Sequence, residues 1–290
     1  MAKVTDLSDL INLMSVTGST SSAENLFFHK VAYTPSGAAT SVIAGRPASL
    51  WTYVGQPSHG TTGDIASSGT VGSIPTNTTD GALKQRNAQS GKEKFLVSAS
   101  ATSHVAGTLI LYDRLYHNHN LSGTVTTEQT VQGHPASPAL TRYTDGEGNI
   151  AFAEIYVIVG TTARTITMNY TNQNGVTGQT SVATNFVATN FREVTRAILL
   201  PYASGDTGIR AVKSVTLAAS TGTVGNFGIT IGHPLAYLNI PSAGGCGWRD
   251  FTTGLPFYDN IHDNAHLAFL WIGNSTTAPD IFGTLTMVEK

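Results

Sequence analysis

Between Ile150 and Ser181 the chain reads IAFAEIYVIVGTTARTITMNYTNQNGVTGQTS, and this stretch limits the folds open to it more than any other. Phe152 to Val159 is an almost continuous apolar run, too short to span a bilayer and rich in the aromatic and β-branched residues that suit a buried strand. Gly160-Thr161-Thr162 breaks it. Arg164, Ile166, Met168 and Tyr170 then alternate with Thr165, Thr167, Asn169 and Thr171, the period of two that gives a strand two different faces. Asn174-Gly175 follows, and because both central residues of a type I′ turn need positive φ, the dipeptide predicts a tight hairpin. The core is therefore expected to be antiparallel β-sheet.

What covers such a core is unusual in its charge. Only 12% of the 290 residues are charged, about half the share of an ordinary soluble domain, while hydrophobic residues make up 40% and glycines number 30. The solvent-facing positions must then be mostly Thr, Ser, Asn and Gln, a surface that packs closely against identical copies and is familiar from secreted β proteins, adhesins and viral coats. A net charge of −2 and no run of Lys or Arg give no attraction to nucleic acid or anionic lipid, so neither direct nucleic-acid binding nor a membrane partner is expected. Cys246 is the single cysteine, which excludes an intrachain disulfide framework and a cysteine-based zinc site. There is no basic start followed by an apolar segment and no apolar stretch of bilayer length, so a soluble chain that stays where it is made, unless a particle carries it out, is the expectation.

Leu7, Leu10, Ile11 and Met14 fall at i, i+3, i+4 and i+7, predicting one short N-terminal helix whose stripe must dock on its own domain or on a neighbour. From Ser15 to Gln89 Gly, Ser, Thr and Pro dominate, with candidate strands only at Leu26 to Tyr33 and Ser49 to Val54. Between Gln56 and Ser90 almost nothing is periodic, so residues 1–90 are expected to form a loop-rich docking arm. Such an arm would gain order by burying Leu26, Phe27, Phe28 and Trp51 on a partner. After Lys94, strand patterns recur at Phe95–Ala99, Gly107–Tyr112, Thr124–Val131, Ile150–Tyr170, Phe191–Leu200, Ala211–Ala218, Asn226–Ile231, Leu235–Ile240, Leu267–Ile272 and Ile281–Val288. Turn signals every 8 to 15 residues between them predict an all-β chain with a jelly-roll-like antiparallel β-sandwich over residues 91–290, able to close a core of its own.

Several short motifs resemble chemistry without its context. Asp206-Thr207-Gly208 spells the aspartic-protease triplet, yet Ser204-Gly205 precede it and make it a turn. His262 and His266 have the i, i+4 spacing of a zinc helix, but Asp263 stands where the base would be Glu and a strand starts at Leu267. His117-Asn118-His119 lacks the ββα frame and basic groove of a nuclease and reads as a polar turn. Gly244-Gly245-Cys246-Gly247 has no Lys-Ser/Thr and reads as a tight loop, with Cys246 a small buried or half-buried residue. No catalytic residue, metal or cofactor is expected. Trp248, Phe251, Phe257 and Tyr258 gather around Pro256, where they could cap the core, fill a subunit interface or stack on a ligand.

At Leu109–Leu121 (LILYDRLYHNHNL), Ile155–Ser181 and Gly205–Gly222 (GDTGIRAVKSVTLAASTG) the chain resembles virion structural proteins of tailed bacteriophages, which carry similar YTNQ-G-x-x-G and GDTG-[IV]-R-x-V-x-S-V-T-L runs in a Thr-rich β background. The resemblance covers residues 95–290 and transfers no functional residue. It implies a structural role in a virion made in the bacterial cytoplasm, without fixing the position there. The expected protein is a capsid-decorating (cement) protein that docks on other virion proteins such as the major capsid protein, and its low-charge, Thr-rich surface, apolar helix stripe and loop aromatics predict self-association as a homotrimer. A tail or surface module binding host glycans is the alternative, and a polysaccharide hydrolase the more remote one. Leu7, Leu10, Ile11, Met14, Phe27, Phe28, Trp51, Trp248, Phe251, Phe257 and Tyr258 are the expected interface residues.

Overall fold

The computed structural model describes residues 8, 10–11, 23–31, 42–60, 72–131, 140–187, 193–251, 253 and 260–290. Among them the chain forms seventeen strands: β1 (Ala23–Val31), β2 (Pro47–Ser49), β3 (Gly55–Gln56), β4 (Lys94–Ser103), β5 (Gly107–His117), β6 (Gln129–Thr130), β7 (Ile150–Val157), β8 (Arg164–Asn172), β9 (Gln179–Thr180), β10 (Thr184–Val187), β11 (Ala197–Leu199), β12 (Ile209–Leu217), β13 (Asn226–Ile240), β14 (Cys246–Asp250), β15 (Asn260–Ile261), β16 (Leu267–Gly273) and β17 (Asp280–Glu289). They make three sheets. Sheet A runs β14–β4–β17–β1–β3 with β15 also on β4, sheet B runs β10–β8–β12–β6 with β9 also on β8, and sheet C runs β11–β7–β13–β5–β16–β2. Every pairing is antiparallel, giving the expected all-β, sandwich-like architecture.

Sheet C is the middle of the molecule. In β5 the odd residues Leu109 and Leu111 enter the main core, while Ile110 and Tyr112 face the other way into a second cluster with Phe152, Ala268 and Leu270. Phe28 of sheet A meets Phe269 of sheet C at 4.4 Å between ring centroids, and Phe186 of sheet B meets Phe227 at 4.6 Å, all four within one continuous core. The two strands expected on either side of His233-Pro234 are one strand, β13, because the register shifts between Pro234 and Ala236. A bulge is where a strand tolerates a residue with no N–H to donate.

The described part of residues 1–90 belongs to these sheets. β1 pairs with β17 along all nine of its residues, β3 pairs with β1, and β2 pairs with β16. Further along, Ser73 bridges to His117 and Leu83 to Leu267. The expected boundary at residue 90 therefore cuts through sheets A and C rather than between two units. Charged groups reinforce the join: Lys94 Nζ reaches Glu24 at 2.7 Å and Arg86 Nε reaches Glu289 at 3.0 Å. Within the first ninety residues, buried Lys30 donates to the carbonyls of Tyr53 and Pro57 at 2.8 and 2.9 Å. The arm looked unpatterned because its order comes from these long-range bonds rather than from an apolar period of its own.

Two local expectations also change. Ser8, Leu10 and Ile11 are helical, but the stripe is split: Leu10 is buried against Phe95, Val97 and Val288 while Ile11 is 55% exposed; Leu7 and Met14 lie outside the described residues. At Asn174-Gly175 only Gly175 has positive φ (77°), so the turn is not type I′. Instead Asn172 Oδ1 accepts from the N–H of Asn174 (3.1 Å) and of Val176 (3.0 Å), and this side-chain clasp shapes a longer loop before β9.

Candidate interaction face

In β1, β4, β14 and β17 the alternation of apolar and polar residues sends one set inward and leaves the other on the outside of sheet A. Register aligns the outward side chains in three rows across the sheet: Cys246–Thr102–Phe282–His29, then Trp248–Ser100–Thr284–Phe27, then Asp250–Ser98–Thr286–Asn25. Two side-chain bonds run along the rows and join neighbouring strands, Ser100 Oγ to Thr284 Oγ1 and Thr286 Oγ1 to Asn25 Oδ1, both 2.8 Å. Phe27 (54%), Trp248 (49%) and Phe282 (39%) stand exposed on this polar floor. Among these twelve positions the only Asp, Glu, Lys or Arg is Asp250, at a corner. On the inner side, Gly283 faces Phe28, and a Cβ there would overlap the Phe28 ring.

At one end the face runs into a cleft of about 400 Å³ lined by Thr102, Ser103, His104, Ala243, Gly244, Asp280 and Phe282. His29 lies flat on the Phe282 ring, 4.0 Å between centroids and 7° from parallel, and its Nε2 is 2.6 Å from Asp280 Oδ1. The Asp280 backbone N–H donates to His104 Nδ1 at 3.2 Å. The cleft wall is the turn before β14, held by Gly244 N–H on Ser103 O at 2.8 Å and by Thr102 Oγ1 on Gly245 O at 2.9 Å. Cys246 opens β14 on the outer row and is exposed rather than buried.

Of the residues expected at an interface, Phe27 and Trp248 are thus brought onto one face, with β4 and β17 between them. Phe28 is not: the alternation that exposes Phe27 turns it fully into the core. Trp51 is also buried, its ring 4.1 Å from the Arg114 guanidinium and its Nε1 donating to Asp80 O at 3.2 Å. Phe251 is half-buried against the cluster that holds Leu10, and Phe257 and Tyr258 lie outside the described residues. Thr102, Thr284, Phe282 and the ends at His104 and Asp280 had no motif to single them out.

Beneath Trp51 lies a wholly buried polar cluster. Arg114 forks onto both carboxylate oxygens of Glu154 and also donates to Tyr112 Oη (3.0 Å) and His117 Nδ1 (2.8 Å); Tyr156 and Thr230 hydroxyls donate to Glu154 Oε2. Burial raises the Glu154 carboxyl, but the Arg114 charge and hydrogen bonds outweigh it and bring it down to about 2. His117 is held well below the usual imidazole range by burial and by Arg114, and burial pushes His266 down to about 3. A second buried pair, Arg142 on Asp113 at 2.7 and 3.0 Å, shares Asp113 Oδ1 with the His266 backbone N–H. The HNH triplet is therefore buried at the end of β5 rather than in a surface turn, and His266 is an interior group, its Nδ1 3.1 Å from Thr76 O. Asp206 is tied up by the Tyr170 hydroxyl (2.5 Å) and Asn172 Nδ2 (2.8 Å) in its turn. Among the described residues no three His, Cys, Asp or Glu side chains are grouped to hold a metal ion.

No family model and no curated protein matches this chain. The solved structures it is similar to include capsid proteins of infectious bursal disease virus. One, from T=1 particles, is 8% identical, covers 97% of this chain and 82% of that one, and has a TM-score of 0.17. Another, the VP2 subviral particle, is 9% identical, covers 97% and 86% and also has a TM-score of 0.17. Likeness at that level carries no argument about fold or function.

Proposed function

We propose that this chain is a structural, non-enzymatic component of a bacteriophage virion, a capsid-decorating (cement) protein that self-associates as a homotrimer and docks on the shell through the outer face of sheet A. That face supports the reading: charged side chains are nearly absent, three aromatic rings stand exposed, and the floor is a hydrogen-bonded Ser/Thr ladder with little freedom to lose on association. Interface cores are likewise enriched in aromatics and depleted of charge. No metal or cofactor takes part in it. Two measurements test it. The band of this protein in purified virions should correspond to hundreds of copies per particle, and Phe27→Ala/Trp248→Ala should fail to decorate particles that lack it. A stoichiometry of a few or tens, or a double variant that decorates as well as the natural chain, overturns the proposal.

A further inference from the structure

We infer that the cleft at the His104–Asp280 end of sheet A is a binding site for a neutral pyranoside sugar. The groups at its mouth are fixed in direction. Because His104 Nδ1 accepts the Asp280 N–H, its proton sits on Nε2 and is a donor; because His29 Nε2 is 2.6 Å from Asp280 Oδ1, the carboxylate is anchored while its side chain stays 40% exposed. An anchored acceptor, an imidazole donor and the Thr102 hydroxyl are the set that pairs with adjacent sugar hydroxyls, which donate and accept at once. The Phe282 ring, stacked on His29 on one side and 39% exposed, offers an apolar surface to the C–H face of a pyranose.

Charge narrows the ligand class. No Lys or Arg lines the cleft, and Asp280 repels an anion, so phosphates, sialic acids and uronic acids lack a counter-charge there. A cation would find one of the two Asp280 carboxylate oxygens already engaged by His29. The cleft shares Thr102 and Phe282 with the outermost row of the face but not Trp248 or Phe27, so sugar binding by the free chain does not rest on the docking proposal and is tested separately from it.

The test is binding of the full chain, by ligand-observed NMR and calorimetry, to methyl pyranosides of glucose, galactose, mannose and N-acetylglucosamine at about 10 mM, which fills most of a millimolar site. At least one should bind, and Asp280→Asn and Phe282→Ala should each weaken it tenfold or more while unfolding at the natural temperature within a few degrees. Phe27→Ala and Trp248→Ala should change it less than twofold. If none of the four binds, or if Asp280→Asn and Phe282→Ala bind as the natural chain does, the site is not there; preference for choline or lysine over every sugar would overturn the ligand class.

Discussion

Arg114 and Glu154 illustrate how a charge survives inside this protein. Each satisfies the other and recruits neighbouring hydroxyls, so removing one leaves the other buried and uncompensated. Arg114→Met should cost about 3–5 kcal/mol in urea unfolding, and adding Glu154→Leu should recover part of that loss. The buried histidines set a pH dependence. Their folded pKa values lie below that of an unfolded imidazole, near 6.5, so the unfolded chain takes up protons first and stability falls as pH drops below that value. For His266, about 3 when folded, the loss between pH 7 and 5 is about 2 kcal/mol, whereas Glu154 contributes to acid loss only below about pH 4.5. Thermal melts at pH 7 and 5 should show that loss, and His266→Asn should reduce it; an unchanged drop would locate the sensitivity elsewhere. These residues left a trace in the sequence, since Glu154 interrupts IAFAEIYV and Arg114 interrupts LILYDRLY. A charge inside an apolar strand implies a buried partner, but which charge meets which, Arg114 with Glu154 and its neighbour Asp113 with Arg142, depends on register that no local pattern encodes.

At the scale of elements, the strands legible in advance were those with an apolar run or an alternation of their own, β4, β5, β7, β8, β12, β13, β16 and β17 among them. β1 was half-legible: LFFHK marks a strand, while its Gly/Ser/Thr-rich flanks made it look like part of an arm. Its place came from β17, some 250 residues away, and from Lys30, whose side-chain nitrogen donates to the loop carbonyls of Tyr53 and Pro57. A chain beginning at Gly91 should therefore lose cooperative unfolding instead of folding alone, because β17 would present a bare edge and Phe269 would lose Phe28. Circular dichroism melts decide this, and a sharp transition near the natural temperature would contradict it. Within the intact chain, Phe28→Ala should cost about 3–5 kcal/mol, and Gly283→Ala should also destabilise because its methyl meets the Phe28 ring. Trp248 and Phe27 were recognisable as interface candidates by residue type alone. That they share a face with a Ser/Thr ladder needed the three-strand register between them.

For the molecule as a whole, the face proposed to meet the shell must stay open when copies associate, so the homotrimer has to close through other surfaces, and closed symmetry does this without a growing end. Light scattering at micromolar concentration should return about three times 30.4 kDa, and Phe27→Ala/Trp248→Ala should leave that mass unchanged because the face is kept for the shell; a natural chain at 30.4 kDa would overturn the homotrimer. The pairing of β1 with β17 also has a consequence in time. At roughly 5–20 residues per second on the ribosome, the strand that completes sheet A follows β1 by roughly 12–50 seconds. For that interval Phe28 and the β1 backbone wait without their partner, so sheet A closes only when translation of β17 is done, and nascent chains stalled before Asp280 should be cut by protease within β1 while released chains are protected there.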